Sequence, residues 1–405
     1  MKIGIVGLGY MGSITAVALA EAGYEVVGID IDSSKIESLS KSEPAIYEPN
    51  LKELLSKHVK MLSFYTDYNK LSDVGMTFVV VPTPTKDNKI YLKYVEEAVN
   101  SIKEVNKGTI IIIKSTVLPG TARELMNATG MRIISNPEFT KEGTAIYDTL
   151  HPDRIVIGGS DRDAMDAVKN LWSFTNSPVI ETTNENAEMI KYASNSFLAV
   201  KISFINEIAN LCEKIPSCDV QVIAKGMGLD KRIAPYFLSA GIGFGGSCFP
   251  KDTRAFVSFA RGIGEDLSII NDAVIVNENR VKRVFDILNQ NFKDNKPSTQ
   301  VGILGLTFKA NTDDTRESQA IKLISLLKHD GYKVNVYDPM AKENLEGVTW
   351  FESAYECAKN SDAVVVATEW EEFKDLVITN KMTIDMKRIL NPSKVNNLIT
   401  VGVYG

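Results

Sequence analysis

Histidine is scarce: the 405 residues contain three, His58, His151 and His329, and none lies in a glycine-rich or acidic cluster. A histidine-based acid–base mechanism or metal site therefore has few candidates, and any chemistry must use other groups. The four cysteines, Cys212, Cys218, Cys248 and Cys357, are widely scattered. No pair has the spacing of a zinc knuckle or a CxxC redox site, so no metal is expected. No apolar run approaches the roughly 18 residues that cross a bilayer. The chain enters a strand pattern at Lys2 without a basic-then-apolar leader, so a cytoplasmic protein, neither exported nor membrane-bound, is expected. Positive charge is not in excess: 45 Lys plus Arg against 51 Asp plus Glu leave a formal net charge of −6, and no nucleic acid partner is expected.

What is present is the 44% apolar and 24% charged mixture of an ordinary folded protein. At roughly 100 to 200 residues per domain, the length predicts two or three domains. Short apolar runs alternate with helical patterns: KIGIV, a helix from about Met11 to Ala22, YEVVGID, a helix from Ser33, MTFVVVP, GTIIIIKST and RIISN (132–136). Continuous Val/Ile runs suit strands buried on both faces, hence a parallel sheet with crossover helices. RIVIGG at Arg154 and PVIET at Pro178 are expected to extend that layer. From Asn184 to Asn291 the text is mostly helical, interrupted between Pro235 and Pro250, and its first helix runs about thirty residues, long enough to connect two bodies. After the polar KDNKPSTQ the alternation restarts with QVGILGL, a helix from Thr315 to His329, YKVNVYDP and DAVVVAT. The predicted architecture is α/β, with two doubly wound Rossmann-like domains joined by a central helical region. Its parts are 1–183 for a dinucleotide, 184–296 as helical linker and dimerisation domain, and 297–405 for a second nucleotide.

Gly7, Gly9 and Gly12 form a GxGxxG between the first strand and helix, where bare backbone can approach a pyrophosphate on the helix N-terminus. Asp30 ends the second strand, placed to accept from a ribose and to repel a 2′-phosphate, so NAD is favoured over NADP. Lys35 either lines the same ribose or is solvated. GILGLTFK (302–309) lies at the corresponding strand end of the last domain without a full GxGxxG; Phe308 and Lys309 offer a stacking face and a cation, or the segment is a packing turn. Lys191 and Asn195, four apart, project from one helix face and can polarise one reacting oxygen, unless Lys191 is an ordinary solvated lysine. Cys248 stands in GFGGSCFPKD, where glycines admit a substrate carbon to the sulfur and neighbouring cations favour the thiolate. The other cysteines suit apolar cores. Ser115, Thr116, Glu138 and Glu142 fall at successive carboxyl ends of first-domain strands, where such folds place their ligands and where a carboxylate can orient a water.

Together these segments resemble the UDP-glucose/GDP-mannose dehydrogenase family. GLGYMG, VPTP (81–84), STVLPGT, NPEFTKEGTAIYD, HPDRIVIGG, KYASNSFLAVKISFINE, GIGFGGSCFPKD and LTFKANTDDTRES stand in the family's order over nearly the whole chain. The resemblance implies NAD-dependent, four-electron oxidation of UDP-glucose, or a close nucleotide sugar, at C6. Cys248 would be the nucleophile, Lys191 and Asn195 the oxyanion and water-handling pair, and Asp252 a partner in acid–base work. Thr116 and Glu138 would position the water that releases product. Gly7, Gly9, Met11, Gly12, Asp30, Lys35, Thr83, Thr116, Glu142 and Arg316 would contact NAD. Glu138, Phe139, Lys191, Asn195, Phe237, Gly245, Phe308 and Lys309 would surround the sugar nucleotide, with Arg232 reaching in from a second subunit. The family often has an arginine near the IDMKR segment; here Lys387 and Arg388 are both present and the register is open.

The residue types suit two successive hydride losses, with the Cys248 thiolate capturing the intermediate aldehyde. The same chemistry on a UDP-N-acetylhexosamine or GDP-mannose is the alternative. A two-electron hydroxyacid dehydrogenase would leave Cys248 without a role, and a non-catalytic NAD sensor would not need the set Cys248, Lys191, Asn195 and Asp252. An apolar stripe of Ile190, Phe197, Ile202, Ile205 and Ile208 on the long helix suggests a homodimer.

Overall fold

Runs such as Ile110–Ile113, buried at every position, can only be accommodated between two helical layers. In the computed structural model, which describes residues 1–86, 89–341 and 345–404, this is the environment they find. Packing divides the chain into two compact units, Met1–Ser194 and Asn195–Gly405, and the boundary falls within the 29-residue helix Asn184–Cys212.

The first unit has strands β1 (Lys2–Val6), β2 (Glu25–Ile29), β3 (Leu62–Tyr65), β4 (Met76–Val79), β5 (Thr85–Lys86), β6 (Lys89–Ile90), β7 (Ile110–Ile113), β8 (Arg132–Ser135), β9 (Ile155–Gly158) and β10 (Val179–Thr182). Eight of them form one sheet in the order β10-β9-β8-β7-β4-β1-β2-β3, and β5-β6 is a separate hairpin. Alternate residues face opposite ways. Ile3, Ile5, Phe78, Ile110 and Ile112 enter one core, and Val6, Val79, Ile111 and Ile113 the other.

RIVIGG and PVIET do extend the layer, but β9 meets β8 antiparallel, through Ser135 and Gly158. The link between them holds only the short helix Ala145–Leu150 and stays at one end of the sheet, so the chain runs back the other way.

The second unit begins with helices. After the long helix come Val220–Gly228, Phe249–Gly262 and Ser268–Phe292. The sheet that follows comprises β11 (Gln300–Leu304), β12 (Lys333–Tyr337), β13 (Thr349–Trp350), β14 (Ala363–Val366), β15 (Ile378–Asp385) and β16 (Val395–Thr400), in the order β13-β12-β11-β14-β15-β16 and wholly parallel. One face packs Val301, Ile303 and Val365 against Ile205, Ala209, Cys212, Val281 and Val284 of the helices.

Two expectations are corrected here. The helix expected from Thr315 begins at Gln319, because Glu317 takes a left-handed φ of 53° and the backbone oxygen of Arg316 accepts from Gly246 N at 2.9 Å. The expected apolar stripe is also displaced. Ile205 is core, Ile190, Ile202 and Ile208 are half-buried, and the exposed apolar residues of the long helix include Phe197, Phe204 and Leu211, seven apart. A helix of 3.6 residues per turn turns a neighbour by about 100°, so a shift of one residue moves a stripe from surface to core.

The two sheets share a construction. Gly7 N donates to Ile29 O and Gly305 N to Tyr337 O, both at 2.8 Å, with φ of 94° and 91°. The acid ending the next strand then takes the amide after the glycine: Leu8 N to Asp30 Oδ2 and Leu306 N to Asp338 Oδ2, both at 2.7 Å.

Candidate active site

In the first unit the glycine loop is shaped by contact. A Cβ on Gly12 would lie 1.8 Å from Gly7 O, and one on Gly7 would lie 2.7 Å from Val80 O, whereas one on Gly9 would meet nothing within 4 Å. Gly7 and Gly12 thus let strand and helix close up, and Gly9, which caps the helix Tyr10–Glu21, faces open space of the kind a pyrophosphate needs. Asp30 is committed to the loop: besides Leu8 N, its carboxylate accepts from Asp32 N at 3.0 Å and pairs with Lys35 Nζ at 2.8 Å. Lys35 is therefore held at Asp30 rather than solvated. Met11 receives the Thr140 hydroxyl on its sulfur, and Thr83 is buried two residues beyond Val81, whose oxygen accepts from Ser115 Oγ at 2.7 Å. Glu142 lies near enough to Tyr10 for its charge to disfavour the phenolate.

At the ends of β7 and β8 three charges converge. Lys191 Nζ donates to Glu138 O at 2.7 Å and to Glu138 Oε1 at 2.8 Å, while Thr140 N and Oγ1 donate to Oε2 at 2.7 and 2.9 Å. Burial alone would raise the Glu138 carboxyl, but Lys191, the Thr140 amide and Lys114 pull it down to about 2. Lys114 is buried over the Trp172 ring at 5.1 Å; burial and the charge of Lys191 push it down to about 8, against the pull of Glu138. Phe139 is half-buried under the Arg154 guanidinium at 3.9 Å. A cavity of about 260 Å³ is lined by Lys114, Glu138, Phe139, His151, Arg154 and Trp172, among others. Thr116 is half-buried just past β7.

In the second unit Cys248 is exposed and caps the helix Phe249–Gly262, where the helix dipole favours negative charge. Ser247 Oγ lies 3.5 Å from its sulfur. One turn on, Asp252 is 1% exposed and receives Asn195 Nδ2 at 2.7 Å and Lys251 Nζ at 2.5 Å. The approach to Cys248 is moulded on Phe308: a Cβ on Gly246, whose φ is 82°, would lie 2.9 Å from that ring, and one on Gly245 would lie 2.6 Å from Glu317 O. Phe237, at φ 62°, stacks edge-on near Phe249 at 6.1 Å. Lys309 Nζ lies 5.7 Å from the Phe308 ring centre. Lys387 pairs with Glu369 at 2.7 Å, and the charge of Lys309 also acts on that carboxylate. Arg388 is turned to Asp219 at 2.9 Å and Val401 O at 3.2 Å, so Lys387 is the cation on the Lys309 side. Arg232 and Arg316 pair with Asp230 and Asp314, at 2.6 and 2.7 Å.

Several structural roles were not visible in the motifs. Asn206, Asn277, Arg280 and Gln319 hold the backbone of Gly241 and Phe244: Gly241 N donates to Asn206 Oδ1 at 2.8 Å, Arg280 Nε to Gly241 O at 2.9 Å, Phe244 N to Asn277 Oδ1 at 2.7 Å, and Gln319 Nε2 to Phe244 O at 2.6 Å. The signal was polar residues at positions where the helix pattern calls for apolar ones. Glu48, also buried, receives Tyr10 Oη and Gly143 N and so ties the glycine loop to the segment after Glu142. Burial pushes the Glu188 carboxyl up to about 7, against hydrogen bonds from Ala122 N, Gly120 N and Ser135. Among the described residues no group of three His, Cys, Asp or Glu is placed to hold a metal ion, and no helix is long and apolar enough to cross a membrane.

Comparison with known proteins matches three models of the UDP-glucose/GDP-mannose dehydrogenase family: the NAD binding domain over residues 1–176, the central domain over 185–279 and the UDP binding domain over 302–392. UDP-glucose 6-dehydrogenase YwqF of Bacillus subtilis is 41% identical, covering 92% of this chain and 89% of its own length. UDP-glucose 6-dehydrogenase AglM of Haloferax volcanii is 38% identical, covering 96% and 97%. Among solved structures, a UDP-glucose dehydrogenase from Pyrobaculum islandicum aligns with a TM-score of 0.94 at 34% identity, over 100% of this chain and 98% of that one. A UDP-D-ManNAc dehydrogenase from Pyrococcus horikoshii aligns with a TM-score of 0.90 at 30% identity, over 99% of each.

Proposed function

The chain belongs to the UDP-glucose/GDP-mannose dehydrogenase family and is an NAD-dependent nucleotide-sugar dehydrogenase, and from that premise we propose that it oxidises UDP-glucose at C6 to UDP-glucuronate through a thiohemiacetal and a thioester on Cys248. The observation that carries the choice of sugar is the 41% and 38% identity, along more than nine-tenths of the chain, to proteins named UDP-glucose 6-dehydrogenase.

NAD would supply the hydride acceptor, one molecule for each of the two hydrides. The open space at Gly9 and the acceptor Asp30 fit it, and Gly7, Met11, Gly12, Lys35, Thr83, Thr116, Glu142 and Arg316 complete the proposed cofactor contacts. The C6 alcohol loses a proton and a hydride, giving an aldehyde. The Cys248 thiolate adds to its carbon, and the oxygen takes a proton. Loss of that proton and a second hydride leaves the thioester, and water cleaves the C–S bond to release the carboxylate and the thiol. Lys191 and Asn195 carry the oxygen's developing charge. Asp252, buried and hydrogen-bonded to Asn195, serves as acid–base partner. Glu138, held ionised, orients the water together with Thr116.

Phe139, Phe237, Gly245, Phe308 and Lys309 are the proposed contacts of the sugar nucleotide. The division into 1–183, 184–296 and 297–405 is kept as the functional one. A homodimer is proposed, formed by a second copy through the exposed Phe197, Phe204 and Leu211, with Arg232 of one subunit serving the other's substrate.

The test is the yield of NADH per UDP-glucose consumed. Two are expected; one points to a two-electron dehydrogenase, and none to a sensor. Cys248→Ala is expected to keep nucleotide binding and lose turnover by several orders of magnitude. Near-normal yield from that variant contradicts the covalent route. The likeness to a ManNAc dehydrogenase makes UDP-N-acetylmannosamine the competing substrate, and a higher kcat/KM on it would transfer the reading to that sugar.

A further inference from the structure

Glu188 lies on the long helix three residues before Lys191 and is 3% exposed. Its carboxylate gathers three donors: Gly120 N to Oε2 at 2.7 Å, Ala122 N to Oε1 at 3.0 Å and Ser135 Oγ to Oε1 at 3.0 Å. The same helix face is sewn to the end of β8 and the segment after it. Ser135 N donates to Asn184 Oδ1 at 3.1 Å, and Lys191 Nζ to Glu138 O at 2.7 Å. Positions 184, 188 and 191 stand one turn apart, so one face grips residues 135 to 138 at both ends.

Gly120 has a second importance. It ends the loop that carries Thr116 and, at φ 100°, precedes the helix Thr121–Thr129. The start of that loop is fixed to the sheet by Ser115 Oγ on Val81 O at 2.7 Å. Its end is fixed to Glu188. A buried carboxyl group that accepts from two backbone amides and a hydroxyl is a directional tether, costly to leave unmade.

We propose that Glu188 is a positioning residue for thioester hydrolysis, holding the Thr116 loop in register with Glu138 and Lys191. This rests on the roles proposed above for Thr116 and Glu138. Glu188 touches neither the substrate nor the water in this reading; it acts through the loop. Cys248, Lys191 and Asn195, which carry the hydride chemistry, lie off the loop, and Thr116 is one of several proposed contacts to NAD but one of only two groups proposed to hold the water, so loss of register falls chiefly on the last step.

The test is Glu188→Gln, which keeps the length and points an amide at a donor. Single-turnover NADH formation is expected within about threefold of the unmodified enzyme, whereas steady-state turnover falls about tenfold or more and intact mass shows a covalent sugar nucleotide on the protein. Ser135→Ala, which removes one donor of three, is expected to give a smaller fall of the same kind. Hydrogen exchange reads the tether without the reaction, and faster exchange at Gly120 and Ala122 is expected. Unchanged exchange overturns the proposal. So does faster exchange with unchanged turnover, or an equal fall in single-turnover and steady-state rates with no adduct. An unmodified enzyme that makes no NADH from UDP-glucose overturns the proposed substrate instead, and the same comparison on the nucleotide sugar it does oxidise then decides Glu188.

Discussion

The Lys191 ammonium binds both ends of a single residue, the backbone oxygen of Glu138 at 2.7 Å and its carboxylate at 2.8 Å. Lys191 therefore sets the position of Glu138 as well as its charge. Lys191→Met is expected to cost roughly 3–5 kcal/mol, as removal of one partner from a buried pair does, and to lower kcat roughly a hundredfold or more. Thermal unfolding and steady-state rates check both. The Glu138 carboxyl, lowered from 4.5 to about 2, contributes stability that is present above pH 4.5 and is lost as pH falls through 2; Glu138→Gln should flatten that acid limb.

Asp30 is tied to Leu8 N and to Lys35. NAD should be used far more efficiently than NADP, and Asp30→Asn should narrow the ratio while raising KM for both, because the glycine loop loses its carboxylate. Equal kcat/KM for the two cofactors in the unmodified enzyme contradicts the assignment.

Lys114 carries a buried charge with a depressed pKa, about 8 against 10.5. Between those values the unfolded chain binds more protons than the folded one, so this group makes stability rise with pH from 8 to 10.5 and penalises the folded state below 8. Lys114→Met is expected to raise the melting temperature at pH 7, by a gain that shrinks toward pH 10.5. Scanning calorimetry at pH 7 and 10 measures it, and a melting temperature lowered more at pH 7 than at pH 10 contradicts it.

Phe204 is 45% exposed on the long helix. If this face binds a second copy, Phe204→Glu yields monomers by light scattering at micromolar protein and lowers turnover through loss of the partner's Arg232. A fully active, monomeric unmodified enzyme refutes both.

Spacing along the chain revealed what local geometry fixes. Gly7, Gly12 and Asp30 are legible because strand, turn and helix set their separations, and Ile110–Ile113 because burial on both faces leaves no polar position. The reversal of β9 was not legible, since direction depends on where the connection re-enters the sheet. Nor was the scaffold of Asn206, Asn277 and Arg280, which bridges positions 33 to 39 apart. Among the candidate residues, Lys35 and Lys387 gained definite partners only when Asp30 and Glu369 were seen beside them. The start of the helix at Gln319 was lost to a tertiary contact, the Gly246 amide on Arg316 O.

The matching acids Asp30 and Asp338 bear on how this enzyme can be altered. Each carboxylate doubles as a clasp for the loop above it, and Asp338 additionally takes Met340 N and Ala341 N, both at 2.8 Å. With Asp30 as the proposed ribose acid, cofactor preference and loop integrity fall on the same atoms, so a change at Asp30 that retunes one disturbs the other. A route to a phosphorylated cofactor that preserves the clasp begins next door, at Ile31, which is 87% exposed.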